Sequence, residues 1–151
     1  MKAKNYLLQI RKLDTLIQNK IIEREQLYNM ALSITARYNT DKVQTSGSQQ
    51  RMADNVVNLV DLDVEIEECI NNLANTKKSI LSTIERLPGD LYDILHKRYV
   101  QNMDLGEIAE AKDRSYSCIA TLHGKALLMV QEIIDKEEKE KEEGEEGQNE
   151  T

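Results

Sequence analysis

Between residues 112 and 125 the chain gathers hydroxyls, one phenol and three cations at close spacing: Lys112, Arg114, Ser115, Tyr116, Ser117, Ala120, Thr121, Gly124 and Lys125. Serine and threonine hydroxyls can hydrogen-bond base edges or phosphate oxygens. Alanine and threonine methyls can meet a thymine methyl, and a tyrosine can reach a backbone oxygen. Lysine and arginine flanking such a surface suit phosphates. Gly124 is costly inside a helix, by about 1 kcal/mol against alanine, and the close approach of DNA or of another helix would explain it.

Other chemistries find little support. His96 and His123 are the only histidines. Cys118 lies five residues before His123, about 140° round a helix, so the two do not share a metal-facing side. Cys69 and Cys118 form no CxxC pair, which argues against a zinc site or a disulfide framework and for two reduced thiols. No Ser-His-Asp or Cys-His arrangement and no glycine-rich phosphate loop occurs, so neither an enzyme nor a cofactor is expected.

The residues must be positioned by helices. Charged residues make up 31% of the 151 positions and aromatics 4%, with no Trp or Phe and one Pro, which suits aliphatic stripes on long helices rather than a β-core. Tyr6, Ile10, Leu13, Ile17, Ile21, Tyr28 and Leu32 mark one face of a first helix of about 30 residues. The stretch 39–52, with its Gly, Ser, Thr and Asn, reads as a connector. A second helix carries Val56, Leu59, Asp63, Ile66, Ile70, Leu73, Lys77, Ile80, Ile84 and Leu87 at steps of three and four, a heptad seam interrupted at Asp63 and Lys77. An antiparallel hairpin within one chain and a parallel homodimer through the long helices both satisfy these stripes.

Pro88 ends that helix and suits the start of a third, spanning about 89–100. A turn at 101–104 leads to Asp104, which can cap a short helix over about 105–111, with Glu107 completing a capping box. A fifth helix begins near Ser115 or Ser117 and runs to about residue 134. Ile108 would plug the pair onto the core, Ala109 would allow a close crossing, and Ile119 and Leu122 would face inward. Asp113 stands at the turn where glycine is usual, and it tolerates left-handed backbone better than most residues.

The formal net charge is −7, but residues 135–151 hold nine acids against three lysines and account for six of those charges. Residues 1–50 carry eight cations against four acids. The acidity is therefore a property of the tail, read as largely disordered from residue 140, and it does not exclude a polyanionic partner. No apolar run reaches the roughly 20 residues of a membrane span, and no signal-peptide segment is evident, so a cytoplasmic protein with no membrane partner is expected.

The order Leu87–Pro88, Arg98–Tyr99, Glu107–Ile108–Ala109, Ser115 or Ser117, Leu122–His123, Ala126–Leu127 resembles region 4 of bacterial sigma factors over about 44 residues. The whole chain looks like the phage-associated sigma-like family related to ArpU/RinA-type late-gene regulators of Gram-positive bacteria and their phages. The resemblance implies an all-α protein divided as 1–86 (helical hairpin or coiled coil), 87–134 (sigma-region-4-like helix-turn-helix) and 135–151 (acidic tail). It further implies transcription control through promoter DNA, with RNA polymerase as a further partner. Two alternatives are a DNA-packaging component of small-terminase type and a protein-interaction module that docks on polymerase without reading bases.

Overall fold

The computed structural model describes residues 1–40 and 46–147. Among them there are five α-helices and no strand: α1 (Ala3–Thr40), α2 (Ser46–Ile84), α3 (Gly89–Leu95), α4 (Leu105–Ala111) and α5 (Tyr116–Glu146). A π-helical turn, His96–Val100, continues α3. The expected connector proves shorter, because residues 46–52 already belong to α2. Glycine and serine are tolerated there since first-turn N–H groups have no helical partner to lose. The Gln50 amide donates to Asp54 one turn on, at 3.0 Å.

The chain forms two compact units, one made of residues 1–12 with those from 75 on, the other of residues 13–74. This division cuts through α1 and α2 instead of following chain order.

Among the described residues, all the buried apolar side chains except Ile17 lie in the first unit. Leu7, Ile80, Ile84, Ile94, Leu95, Ile108, Ile119 and Val130 are almost wholly inaccessible, and burial of each such side chain stabilises the unit by about 1.5–3 kcal/mol. Polar ties fix the register. Thr83, buried, accepts from the Tyr6 hydroxyl at 3.0 Å and donates to the Ser79 carbonyl at 3.1 Å. The Gln131 side chain accepts from the Ala3 amide at 2.7 Å and donates to the Met1 carbonyl at 3.0 Å. One amide thus serves an N–H and a carbonyl at the start of α1, where a helix lacks partners of its own.

In the second unit, as residue number rises along α1 it falls along α2: Lys20 pairs with Glu65 at 2.8 Å and Arg24 with Asp63. The inward positions differ from the expected stripes. On α2 the half-buried residues of this unit are Met52, Asn55, Leu59, Leu62, Ile66, Cys69 and Leu73. Val56, Asp63 and Ile70, read as seam positions, are exposed, as is Lys77 in the first unit. On α1, Lys20, Arg24, Leu27 and Ala31 face inward, while Ile21, Tyr28 and Leu32 do not. Every inward series keeps a seven-residue repeat, the period required when two helices face each other over many turns. The one-residue shift exchanges Asp63 for Leu62 inside, avoiding the cost of burying a carboxylate. Lys20 and Arg24 lay their methylene stems along the seam and send their charges to its edge.

Of the tail read as largely disordered, the residues through Glu146 are helical, past Gly144, and Gly147 caps the helix; residues 148–151 lie outside the described residues. Asp135–Lys139, Glu137–Lys141 and Lys136–Glu140 are one turn apart in sequence, and such pairs each support a helix by about 0.2–0.5 kcal/mol.

Candidate functional site

The α4–α5 unit is built on a small apolar cluster of Ile94, Ile108, Ala109 and Ile119, with Met103, Leu105 and Leu122 packed against it. These include the four inward positions read from the sequence. Asp104 caps α4: its Oδ1 accepts from the Glu107 amide at 2.8 Å. That N–H holds the Asp104 carboxyl below its ordinary range, while the adjacent Asp104 carboxylate raises the carboxyl of Glu107.

The turn between α4 and α5 is closed by backbone alone. The Arg114 amide donates to the Ala109 carbonyl at 3.0 Å and the Asp113 amide to the Glu110 carbonyl at 3.2 Å. This paired closure at a helix C-terminus requires left-handed backbone at its penultimate residue, and Asp113 has φ 52°. Ser115 then caps α5, its Oγ accepting from the Cys118 amide at 3.1 Å.

The structure separates the candidate residues into three groups. Tyr116, Ser117, Thr121, Gly124 and Lys125 are exposed, Tyr116 at 59%. The Thr121 hydroxyl donates to the Ser117 carbonyl at 2.9 Å, leaving its lone pairs outward. Ala120 is half-buried beside this row, and Ser115 is committed to its cap.

The third group is Lys112 and Arg114. The Lys112 ammonium lies on the Asp93 carboxylate and 3.7 Å from Asp90, and Arg114 lies 3.2 Å from Asp90. Lys97 joins Asp93 from the other side at 3.0 Å. The Lys112 contact, aided by Lys97 and opposed by partial burial, holds the Asp93 carboxyl below its usual range. These carboxylates on α3 were not singled out in the sequence reading. Apart from Lys97, one turn from Asp93, their partners Lys112 and Arg114 lie about twenty residues away, beyond any helical period.

Behind α5, Tyr99 and His123 stack with ring centroids 5.8 Å apart, and the Tyr99 hydroxyl lies 2.9 Å from His123 Nε2. Burial raises the phenol's pKa. It lowers that of the imidazole, helped by the Arg98 and Lys4 cations. Arg98 lies 5.9 Å from the Tyr99 ring centroid and donates to the Met103 carbonyl at 3.2 Å.

No heavy atom comes within 4 Å of a Cβ built on Gly124. The close helix that could have explained this glycine is therefore not part of the chain as described. Among the described residues, no cluster of three or more His, Cys, Asp or Glu is placed to hold a metal ion, and no helix is long and apolar enough to cross a membrane.

Comparison of the chain with protein-family models, curated proteins and solved structures finds no match. The class is thus defined by fold and surface alone: an all-helical protein with a tightly capped pair of helices that presents a polar, weakly charged row.

Proposed function

We infer that the protein is a sequence-specific double-stranded DNA-binding regulator of phage type, related to sigma region 4. In this reading α4 and α5 form a helix-turn-helix whose second helix enters the major groove by its N-terminal end. Tyr116, Ser117, Ala120 and Thr121 meet the bases, and Lys125 meets a phosphate. The observation that carries the reading is the exposed row of Tyr116, Ser117 and Thr121 beginning at the Ser115 cap, on a helix whose opposite face is locked by Ile119. Such rigidity suits base readout, which tolerates little displacement.

The long helices supply the second half of the reading. All the large apolar side chains that stand exposed, apart from Met1, Tyr116 and Leu128, belong to residues 13–74. A two-helix hairpin cannot cover them, and a second copy of the same hairpin would. Dimerisation would join two weak DNA-binding modules and raise their joint affinity.

Genome-wide DNA capture by the tagged protein tests the reading, repeated with Tyr116→Ala/Thr121→Ala. Enriched sites that vanish or change in the variant are expected. Sites indifferent to the substitutions refute readout by α5.

One observation favours a second reading, docking on RNA polymerase without base readout. Two of the cations next to the row, Lys112 and Arg114, are already paired with Asp90 and Asp93. Copurification with polymerase, together with no retarded DNA, would select it. A ring-shaped assembly in solution would instead favour a DNA-packaging component.

A further inference from the structure

The cations beside the expected reading end are neutralised, but a second set in the same unit is not. Lys2 just before α1, Lys4 and Arg11 on α1, Arg98 on the π-helical turn and Lys125 on α5 have no carboxylate within ion-pair reach among the described residues. Three observations bring members of this set together.

Ser117, Thr121, Gly124 and Leu128 follow one another along α5 at steps of four, three and four, so they share one face. Gly124 and Leu128, with Gln131, line an open surface depression together with Lys2 and Lys4. The Gln131 amide bonds to Met1 and Ala3 hold that first turn of α1 against α5. Two turns further along α1, Arg11 reaches the Asn102 side chain at 3.3 Å, beside Arg98 and the Tyr99–His123 pair. The fields of Arg98 and Arg11 bear on the Tyr99 phenol, and those of Arg98 and Lys4 on the His123 ring.

We propose that Lys2 and the first three turns of α1, through Lys4 and Arg11, form a phosphate-binding surface that holds the backbone of the duplex read by α5. The inference rests on the DNA-binding reading and adds to it a contact from the opposite end of the chain. Gly124 lies seven residues beyond Ser117, about 10 Å along the helix. That length is comparable with the roughly 12 Å width of the major groove. A strand bordering the groove entered at Ser117 would thus pass over Gly124, where the missing side chain leaves room for it. Leu128, 69% exposed, would lie against the sugars. The occupant is taken as nucleic acid because the surface continues the row that carries the hydroxyls.

The test is a salt titration of binding to a random-sequence duplex of about 24 base pairs between about 50 and 200 mM salt. Lys4→Gln/Arg11→Gln is expected to weaken binding roughly tenfold per lost contact at the lower salt, and to flatten the slope of log affinity against log salt by about 1.8. Neither side chain of Lys2 or Lys4 makes a hydrogen bond or ion pair among the described residues, so Lys2→Gln/Lys4→Gln should flatten the slope with little change in melting temperature. Tyr116→Ala should leave the slope as it is. Unchanged slopes in both double variants overturn the proposal while the DNA reading stands, and they would leave the surface to an acidic protein partner. Failure of the unaltered protein to bind the duplex even at the lower salt overturns both.

Discussion

Asp113 occupies left-handed backbone because the closure from Arg114 and Asp113 back to Ala109 and Glu110 demands it. A β-branched residue pays more for that conformation than aspartate does, and glycine pays nothing. Asp113→Val should therefore lower stability by about 1–2 kcal/mol, and Asp113→Gly should not, as read by thermal denaturation. His123 supplies a pH dependence. Its folded pKa lies below the unfolded value of 6.5 because burial disfavours the imidazolium. Below pH 6.5 the unfolded chain takes up the proton before the folded one does, so stability falls with acidification until the folded pKa is reached. Melting temperatures measured from pH 7 to pH 5 should decline, and His123→Gln should remove that part of the decline contributed by the imidazole.

Within α5, Gly124 exposes a conflict between stability and surface. A Cβ there meets no heavy atom within 4 Å, so Gly124→Ala should stabilise the helix by about 1 kcal/mol. The same substitution should weaken duplex binding if a backbone crosses there. A melting temperature that rises with affinity unchanged would place the duplex elsewhere. The α3 helix acts differently: Asp90 and Asp93 hold Lys112 and Arg114 against the turn. Lys112→Gln should accordingly lower the melting temperature and leave the salt dependence of DNA binding nearly unaltered, since its ammonium is half-buried and already paired.

For the whole molecule, the distribution of apolar surface carries the clearest consequence. Among the described residues of 13–74 only Ile17 is a buried apolar side chain, while Leu16, Ile22, Met30, Val57, Val60 and Val64 are among those exposed. A unit with so little core is weak alone, and association is the ordinary remedy. Sedimentation should show a dimer, and Val56→Glu/Val60→Glu, one turn apart on α2, should yield monomers with weaker DNA binding. A monomeric unaltered protein at micromolar concentration would refute association through this face.

Periodicity and capping chemistry are local, and these were legible before any coordinates. The five helices, the Asp104 cap, the start of α5 near Ser115, the tolerance of Asp113 for left-handed backbone, and the inward set Ile108, Ala109, Ile119 and Leu122 follow from residues within a few positions of one another. The seam of the long helices was only half legible. Apolar weight pointed to Ile21 and Ile70, whereas a seven-residue repeat imposed by a facing helix selected Lys20, Arg24, Leu62 and Cys69. Three features required tertiary structure altogether: the Asp90 and Asp93 clamp on Lys112 and Arg114, the Tyr99–His123 pair, and the docking of the first turn of α1 on Gln131. Each joins residues between about 20 and 130 positions apart. Charge pairing and burial act through space, so which cations remain unpaired was decided only when the helices met.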